Sequence, residues 1–272
     1  MVKSEPAVIL IEHMGVSFGR RAVLSIDQLR IERGERIAII GPSGAGKTTL
    51  LRTIKGYVRP SCGKIEVLGM NWSTCDRRTR RRVQRRVGLI FQQFHLVPRL
   101  TVLQNVLCGR LGSTNRWRSL FGQFSAEDRE IAWRAICEVG LQEQVHQRAD
   151  TLSGGQQQRV AIARVVAQQP EVILADEPVS SLDPVLGAEV LSLLIDVTEH
   201  HHATLILNLH QPALAKQFGS RVLGIRDGRI VFDDRPLLLT DDRLQEVYHG
   251  PSPVPLYHGD STAGKSSSLV GA

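Results

Sequence analysis

Residues 36–51 read RIAIIGPSGAGKTTLL, which predicts a strand, a phosphate-binding loop and a helix in succession. The apolar, β-branched run Arg36–Ile40 is typical of a buried parallel strand, and Thr48–Lys55 is predicted as a helix with Gly56 at its C-terminal cap. The loop between them matches the pattern G-x-x-x-x-G-K-[ST], in which backbone N–H groups cradle phosphates. Lys47 can reach the β- and γ-phosphates of a nucleotide, and Thr48 can ligate Mg²⁺. The predicted phosphate-binding residues are Gly41, Pro42, Ser43, Gly44, Ala45, Gly46, Lys47, Thr48 and Thr49.

A second match to the same pattern spans residues 259–266, GDSTAGKS. It follows the proline-rich segment PSPVPLYH rather than a strand, and only six residues remain after it. We therefore interpret it as a coincidence within a tail, residues 251–272, that is rich in Pro, Ser and Gly and is predicted to be disordered.

A second element of the predicted site is the pair Asp176 and Glu177, which directly follows the apolar run Val172–Ala175. In open α/β sheets, ligands bind at the carboxyl ends of the strands. Asp176 is predicted to hold Mg²⁺ through its coordination shell. Glu177 can polarise a water for in-line attack on the γ-phosphate.

Strand and helix patterns alternate along the chain, which indicates an α/β fold with a parallel sheet. Residues 100–150 lack β-rich runs and show helical spacing, so they are predicted to form a helical subdomain. The two last strands flank Gly228 and are predicted to form a hairpin. Besides Arg36–Ile40 and Val172–Ala175, the predicted strands are Ala7–Ile11, Val23–Leu24, Leu29–Ile31, Ile65–Leu68, Val87–Phe91, Thr204–Asn208, Val222–Ile225 and Ile230–Phe232, of which the last two form the hairpin.

The composition is globular: of 272 residues, 42% are hydrophobic and 22% charged, which excludes a mainly disordered or collagen-like chain. The net charge of +7 comes from residues 77–86, which hold seven arginines and no acid.

The four cysteines show no C-x-x-C spacing and are predicted to be ordinary buried thiols. The N-terminus does not resemble a signal peptide, and no apolar run approaches the roughly 18 residues of a membrane span.

The run LSGGQ at residues 152–156, followed by ILADEP at residues 173–178, resembles the paired motifs of ATP-binding cassette (ABC) ATPases. The two glycines open a predicted helix whose N-terminus suits a phosphate. The resemblance implies a P-loop NTPase fold with a RecA-like core, an antiparallel β-subdomain and a helical signature subdomain at about residues 95–165, within a domain of residues 7–250. It also implies a homodimer, in which Ser153, Gly154, Gly155 and Gln156 contact the ATP held by the opposite subunit.

The other cassette elements follow in the family's order. Phe18 resembles the aromatic residue that stacks on adenine, although a core Phe is the plain alternative. Gln92 resembles the glutamine that senses Mg²⁺, takes part in catalysis and couples to the membrane subunit. Asp183, in the run SSLD, resembles the loop at the dimer seam. His210 resembles the switch histidine that contacts the γ-phosphate, and the resemblance makes it a catalytic candidate with Glu177.

Finer features resemble the ATPase subunits of phosphonate importers, notably GLIFQQFHLVPRLTVLQNVLCGRLG, WRSLFGQF and NLHQPALA. In WRSLFGQF, Trp117, Phe121 and Phe124 share a predicted helix face, which suits either the subdomain core or docking to a membrane subunit. The run TEHHH at residues 198–202 is a departure from the pattern, and we expect surface histidines there rather than a metal site.

This closer resemblance implies hydrolysis of ATP with Mg²⁺ to drive uptake of phosphonate, phosphite or a related oxyanion. The implied partners are two transmembrane permease subunits and a periplasmic phosphonate-binding protein. The chain would lie at the cytoplasmic face of the bacterial inner membrane.

Two alternatives remain open at the level of the sequence. One is a cytosolic ABC ATPase attached to phosphonate-degrading enzymes. The other is an ABC ATPase acting on nucleic acid, suggested by the arginine run, but no nucleic acid is expected because coiled coils, zinc modules and a second cassette are missing from the sequence. The run itself suits a solvated helix face, a contact with the permease, or anionic lipid headgroups.

Overall fold

The computed structural model describes residues 7–114 and 123–250. The strands are β1 Ile9–Phe18, β2 Arg21–Ile31, β3 Arg36–Ile40, β4 Cys62–Val67, β5 Met70–Asn71, β6 Val87–Ile90, β7 Val172–Asp176, β8 Thr204–Asn208, β9 Arg221–Arg226 and β10 Arg229–Asp234. The α-helices are α1 Lys47–Ile54, α2 Arg77–Arg86, α3 Val102–Leu107, α4 Ala126–Glu138, α5 Gly154–Val166, α6 Pro184–His200, α7 Pro212–Phe218 and α8 Asp241–His249. None of the helices in these described ranges is both long enough and apolar enough to cross a membrane.

The larger sheet has six strands in the order β10-β9-β3-β8-β7-β6. Its β9, β3, β8, β7 and β6 strands are parallel, while β10 runs antiparallel to β9 as the predicted hairpin. The strand β8 lies between β3 and β7, so Asn208 is level with Ile39 on one side and Asp176 on the other. The carboxyl ends of these central strands therefore meet at one edge, beside the loop that follows β3.

The smaller sheet is antiparallel, in the order β2-β1-β4-β5. The sequence predicts two short strands at Val23–Leu24 and Leu29–Ile31, but the structure forms one continuous strand, β2, and that prediction is wrong. The polar residues between the two apolar runs lie on the solvent face, because Leu24 and Ile26 are buried while Ser25 and Asp27 are exposed. Pairing with β1 along the whole strand keeps the polar stretch extended.

The six-stranded sheet contributes to two hydrophobic cores, one on each face. Ile37 and Ile39 of β3 pack with α1 and the smaller sheet, while Ala38 and Ile40 pack with the helices on the other side. This alternation explains why the strand is continuously apolar, as is typical of a parallel strand covered on both faces.

The helical part packs α3, α4 and α5 together, and Phe124 is partly buried against its core. The helical part contains a buried ion pair, in which Arg110 Nε lies 2.8 Å from Asp128 Oδ1. The same guanidinium donates to Ala167 O, and the other carboxylate oxygen accepts from the Ser125 and Thr114 hydroxyls. Trp117 and Phe121, which the sequence places on one helix face with Phe124, lie outside the described residues.

The prediction of buried thiols is wrong. Cys62 and Cys137 are exposed, Cys75 and Cys108 are half-buried, and all four are free. In the histidine run, His201 Nε2 lies 2.8 Å from Glu138 Oε2. Within the described ranges no three His, Cys, Asp or Glu side chains are grouped so that they could hold a metal ion.

Candidate functional site

The loop after β3 requires glycine at its first position. Gly41 has a φ of +144°, and a Cβ there would lie 2.0 Å from the backbone oxygen of Ile225. No side chain fits that approach, so the loop can leave the strand in this direction only with glycine. This close contact sets the loop against β9 and at the carboxyl end of β3.

Lys47 begins α1 and is buried beneath the loop. Its Nζ donates to the backbone oxygens of Gly41 at 2.8 Å and of Pro42 at 2.9 Å. Burial lowers the pKa of Lys47, and the nearby carboxylates of Glu177 and Asp176 act in the opposite direction. The backbone oxygens of the loop thus hold the Lys47 ammonium group in place.

Thr48, Asp176 and Asn208 form one hydrogen-bonded group. Both Thr48 Oγ1, at 2.9 Å, and Asn208 Nδ2, at 2.6 Å, donate to Asp176 Oδ1. Asn208 is fully buried, and its Oδ1 has no hydrogen-bond partner among the described residues. The helix α1 and the strands β7 and β8 therefore each contribute one side chain to the same point at the sheet edge.

Glu177 and His210 face each other across the next turn. Glu177 Oε1 lies 2.5 Å from His210 Nε2, and the Glu177 side chain is only 14% exposed whereas that of His210 is 45% exposed. The backbone at Glu177 is left-handed, with a φ of +53°, and its N–H donates to Asn208 O at 3.1 Å. A non-glycine residue in this conformation is uncommon and is often found at a functional site.

These residues surround a cleft of about 410 Å³. Ser43, Gly44, Ala45, Gly46, Lys47, Thr48, Thr49, Glu177 and His210 line it, together with Phe18, Arg21 and Val23 of the smaller sheet. Phe18 is 55% exposed, so it is not a core residue. An exposed ring at the mouth of the cleft is placed to stack on a planar base.

The four signature residues lie at the N-terminus of α5 and outside the lining of this cleft. They form a capping box, in which Gln156 N donates to Ser153 Oγ at 3.3 Å and Ser153 N donates to Gln156 Oε1 at 3.0 Å. Gly155 is buried, and a Cβ there would lie 2.7 Å from Leu186 Cδ2. The exposed start of α5, at Ser153 and Gly154, therefore does not line the chain's own phosphate-loop cleft.

Two further predicted residues also lie outside the cleft lining. Gln92 is exposed in the loop that follows β6, and the strands β8 and β7 lie between β6 and β3. Asp183 caps α6, where its Oδ1 accepts from Leu186 N at 3.0 Å. The structure brings Gly41–Thr49, Asp176, Glu177, His210 and Phe18 together and leaves Gln92, Asp183 and the signature apart.

Sequence reasoning missed three contributors to this region. Asn208 could have been found as the polar residue that ends the apolar run TLILN. Arg21 lines the cleft but belongs to a segment with no motif. Tyr248, in α8, donates from Oη to His210 O at 3.3 Å. Burial raises the pKa of Tyr248, and the backbone N–H of Gly41 acts in the opposite direction.

The residues at the sheet edge fit a divalent cation of the Mg²⁺ type. The donor set offers a threonine hydroxyl and one carboxylate, both oxygen ligands, and Thr48 and Asp176 are already in contact. Mg²⁺ is commonly held by one or two carboxylates together with substrate phosphates rather than by an all-protein cage. That agrees with the lack of a cluster of three ligating side chains in residues 7–114 and 123–250.

Residues 24–180 match the ABC transporter family. A phosphonates import ATP-binding protein of Pseudomonas aeruginosa, PhnC 2, is 44% identical over 259 residues, which cover 93% of each chain. The PhnC protein of Nitratidesulfovibrio vulgaris is 42% identical over 243 residues, covering 89% of this chain and 92% of that protein.

A solved structure agrees with these sequence matches. The dimeric, post-hydrolysis structure of the ATP-binding cassette MJ0796 with ADP and Pi is 31% identical, with a TM-score of 0.72, over 84% of this chain and 98% of that one. The predicted P-loop ABC fold is confirmed by this likeness and by the two sheets described above. On these matches, the chain belongs to the ABC transporter family, among its ATP-binding subunits.

Proposed function

We propose that the chain is the ATP-hydrolysing subunit of an importer for phosphonate, phosphite or a related oxyanion. The observation that carries the ATPase assignment is the contact between Glu177 and His210 at the mouth of the phosphate-loop cleft. The cargo class is supported by the phosphonate-import names of relatives that match along almost their whole length.

The described residues can divide the work of hydrolysis between them. The backbone of residues 41–47 and the Lys47 ammonium bind the β- and γ-phosphates. Thr48 and Asp176 would hold Mg²⁺, which when bound would supply positive charge that favours phosphoryl transfer. Glu177 accepts a proton from the attacking water, and His210 holds the carboxylate in place and reaches the γ-phosphate. Gln92, in the loop beyond β6, would respond to bound Mg²⁺ when that loop approaches the cleft.

A complete site requires a second copy of the chain. The signature at Ser153, Gly154, Gly155 and Gln156 lies outside its own cleft, so it is free to close over the ATP of the partner subunit. Asp183 would lie at the seam between the two copies. Closure by ATP and opening after hydrolysis would move two permease subunits, and a periplasmic phosphonate-binding protein would deliver the cargo.

The proposed ATPase domain is residues 7–250, with the helical subdomain at about residues 95–165. The chain would act at the cytoplasmic face of the inner membrane, where it contacts the permease. Residues 251–272, which include the second match to the phosphate-loop pattern, lie outside the described residues, and we propose no role for them in nucleotide binding.

Growth with phosphonate as the sole phosphorus source tests the cargo. A strain without its own phosphonate ATPase subunit should grow when this chain is expressed with the permease and binding protein of a phosphonate importer. The Glu177→Gln variant should not support growth. Normal ATP turnover without growth would overturn the cargo assignment alone, whereas co-purification with a phosphonate-degrading complex instead of a membrane fraction would overturn the transport role.

A further inference from the structure

The helix α2 carries five exposed arginines on one side, which we name the arginine face: Arg77, Arg78, Arg81, Arg82 and Arg85. With 3.6 residues per turn, these positions span an arc of about 140°. They alone line a shallow cavity of about 560 Å³. The two other arginines of the helix have structural partners, since Arg80 donates to Trp72 O and Arg86 pairs with Glu171.

Within the described residues, the arginine face has no acidic side chain at ion-pair distance, although Asp76 interacts electrostatically with Arg78. None of its five guanidinium groups forms an ion pair there. The acid next to it in sequence, Asp76, caps the helix by accepting from Thr79 N. Arg77 lies four residues before Arg81, and Arg81 lies four residues before Arg85. Positive charges at this spacing repel each other and destabilise a helix. An external anion would remove this repulsion.

The neighbouring groove has a different character. It has a volume of about 530 Å³ and is lined in part by Tyr57, Leu89 and Phe91, as well as by Arg81 and Arg85. Protein interfaces usually have an apolar centre with a polar rim, and this groove offers such a centre. The arginine face offers none, so its chemistry suits a surface that presents many anionic oxygens rather than a folded protein partner.

We propose that the arginine face binds the anionic phospholipid headgroups of the membrane. The planar guanidinium group binds phosphate oxygens in a bidentate manner, and several such groups on one helix act together at a negatively charged surface. The proposal rests on the transporter role above for its membrane, and it adds a direct lipid contact to attachment through a permease. The apolar groove beside it would remain available to the permease.

Flotation of the full-length chain with lipid vesicles tests the proposal without cargo, ATP or permease. We expect binding to vesicles that contain phosphatidylglycerol, no binding to phosphatidylcholine alone, and weaker binding as salt is added. The test variant is Arg77→Gln/Arg78→Gln/Arg82→Gln, because these three arginines line the cavity but not the groove. Each arginine removed should lower the vesicle partition coefficient about fivefold.

The matched control is Arg129→Gln/Arg229→Gln/Arg235→Gln, which removes three exposed arginines that lie elsewhere. It lowers the net charge equally and should retain most of the binding. Equal losses in both variants, binding to phosphatidylcholine, or tighter binding to duplex DNA than to the anionic vesicles at the same salt concentration would each overturn the proposal. ATP turnover is measured for all variants, so a failure of the ATPase assignment is recorded separately.

Discussion

At Glu177, replacement by Gln keeps the side-chain volume and the contact with His210 but removes the negative charge that accepts a proton. We expect Glu177→Gln to bind ATP normally and to lose turnover by about 10²- to 10⁴-fold, the usual contribution of a general base. The variant should accumulate an ATP-bound dimer, which size-exclusion chromatography would detect. Glu143→Gln, at an exposed position outside the cleft, is the control; turnover near the wild-type rate in Glu177→Gln would exclude the assigned role.

Tyr248 links the C-terminal helix to the switch histidine through its hydroxyl. Tyr248→Phe keeps the ring and removes the hydrogen bond to His210 O. A neutral hydrogen bond contributes about 1 kcal/mol, so we expect kcat to fall about fivefold while KM for ATP changes little. Steady-state kinetics would measure this, with Tyr57→Phe as the control. An unchanged kcat would mean that the hydroxyl does not position His210.

Sequence reasoning placed at the sheet edge those candidate residues that follow an apolar strand directly, while their roles in nucleotide binding and hydrolysis stay predictions. Such strands lead directly into residues 41–49 and into the pair Asp176 and Glu177. A correct prediction of each strand therefore also predicts that these residues lie at the sheet edge. Asn208 ends an apolar run in the same way but belongs to no motif. Tyr248 was missed for a physical reason, because no strand precedes it and only the docking of α8 brings its hydroxyl to His210, 38 residues away along the chain.

Among the elements, the helical part depends on the buried pair between Arg110 and Asp128. Asp128→Ala leaves the guanidinium buried without its carboxylate, and we expect a loss of about 3–5 kcal/mol in the free energy of unfolding. Urea denaturation would measure this loss. The control is Asp150→Ala, which breaks an exposed pair with Arg148 and should cost less than about 1 kcal/mol. Similar losses in the two variants would contradict a special contribution from burial.

The same pair gives the stability a defined pH dependence. Burial alone raises the pKa of Asp128, but hydrogen bonds from Arg110, Ser125 and Thr114 outweigh it and the pKa is lowered. Because the folded value lies below the unfolded value of about 3.9, the contribution is complete above that pH and is lost as the pH falls through the folded value. The difference between wild type and Asp128→Ala should therefore shrink in acid.

The elements also show where patterns of hydrophobicity are ambiguous. The hydrophobicity pattern predicts two short strands in place of β2 because solvent-facing polar residues interrupt its apolar runs. Pairing with β1 nevertheless keeps the whole strand extended. The strands β3, β7 and β8 were placed well because both of their faces are buried, and their sequences are therefore continuously apolar.

For the whole molecule, a composite site makes a mixing experiment decisive. Lys47→Ala should disable the phosphate loop, and Ser153→Arg should block the exposed start of α5. Each variant alone should lack ATP turnover. Mixing the two should restore it in part, because a mixed dimer pairs an intact phosphate loop with an intact signature. Turnover by Ser153→Arg alone, or no recovery on mixing, would exclude a site shared between subunits.

The position of β8 also has a consequence for biosynthesis. β3 and β7 do not pair with each other, and both are joined through β8, which leaves the ribosome last of the three. The nascent chain therefore carries an intact phosphate loop and an intact acidic strand before anything holds them together. We expect nucleotide capture to begin only after Thr204–Asn208 has been translated and inserted. Until then, both edges of β3 and one edge of β7 are unpaired, and this is the interval in which chaperones would be needed most.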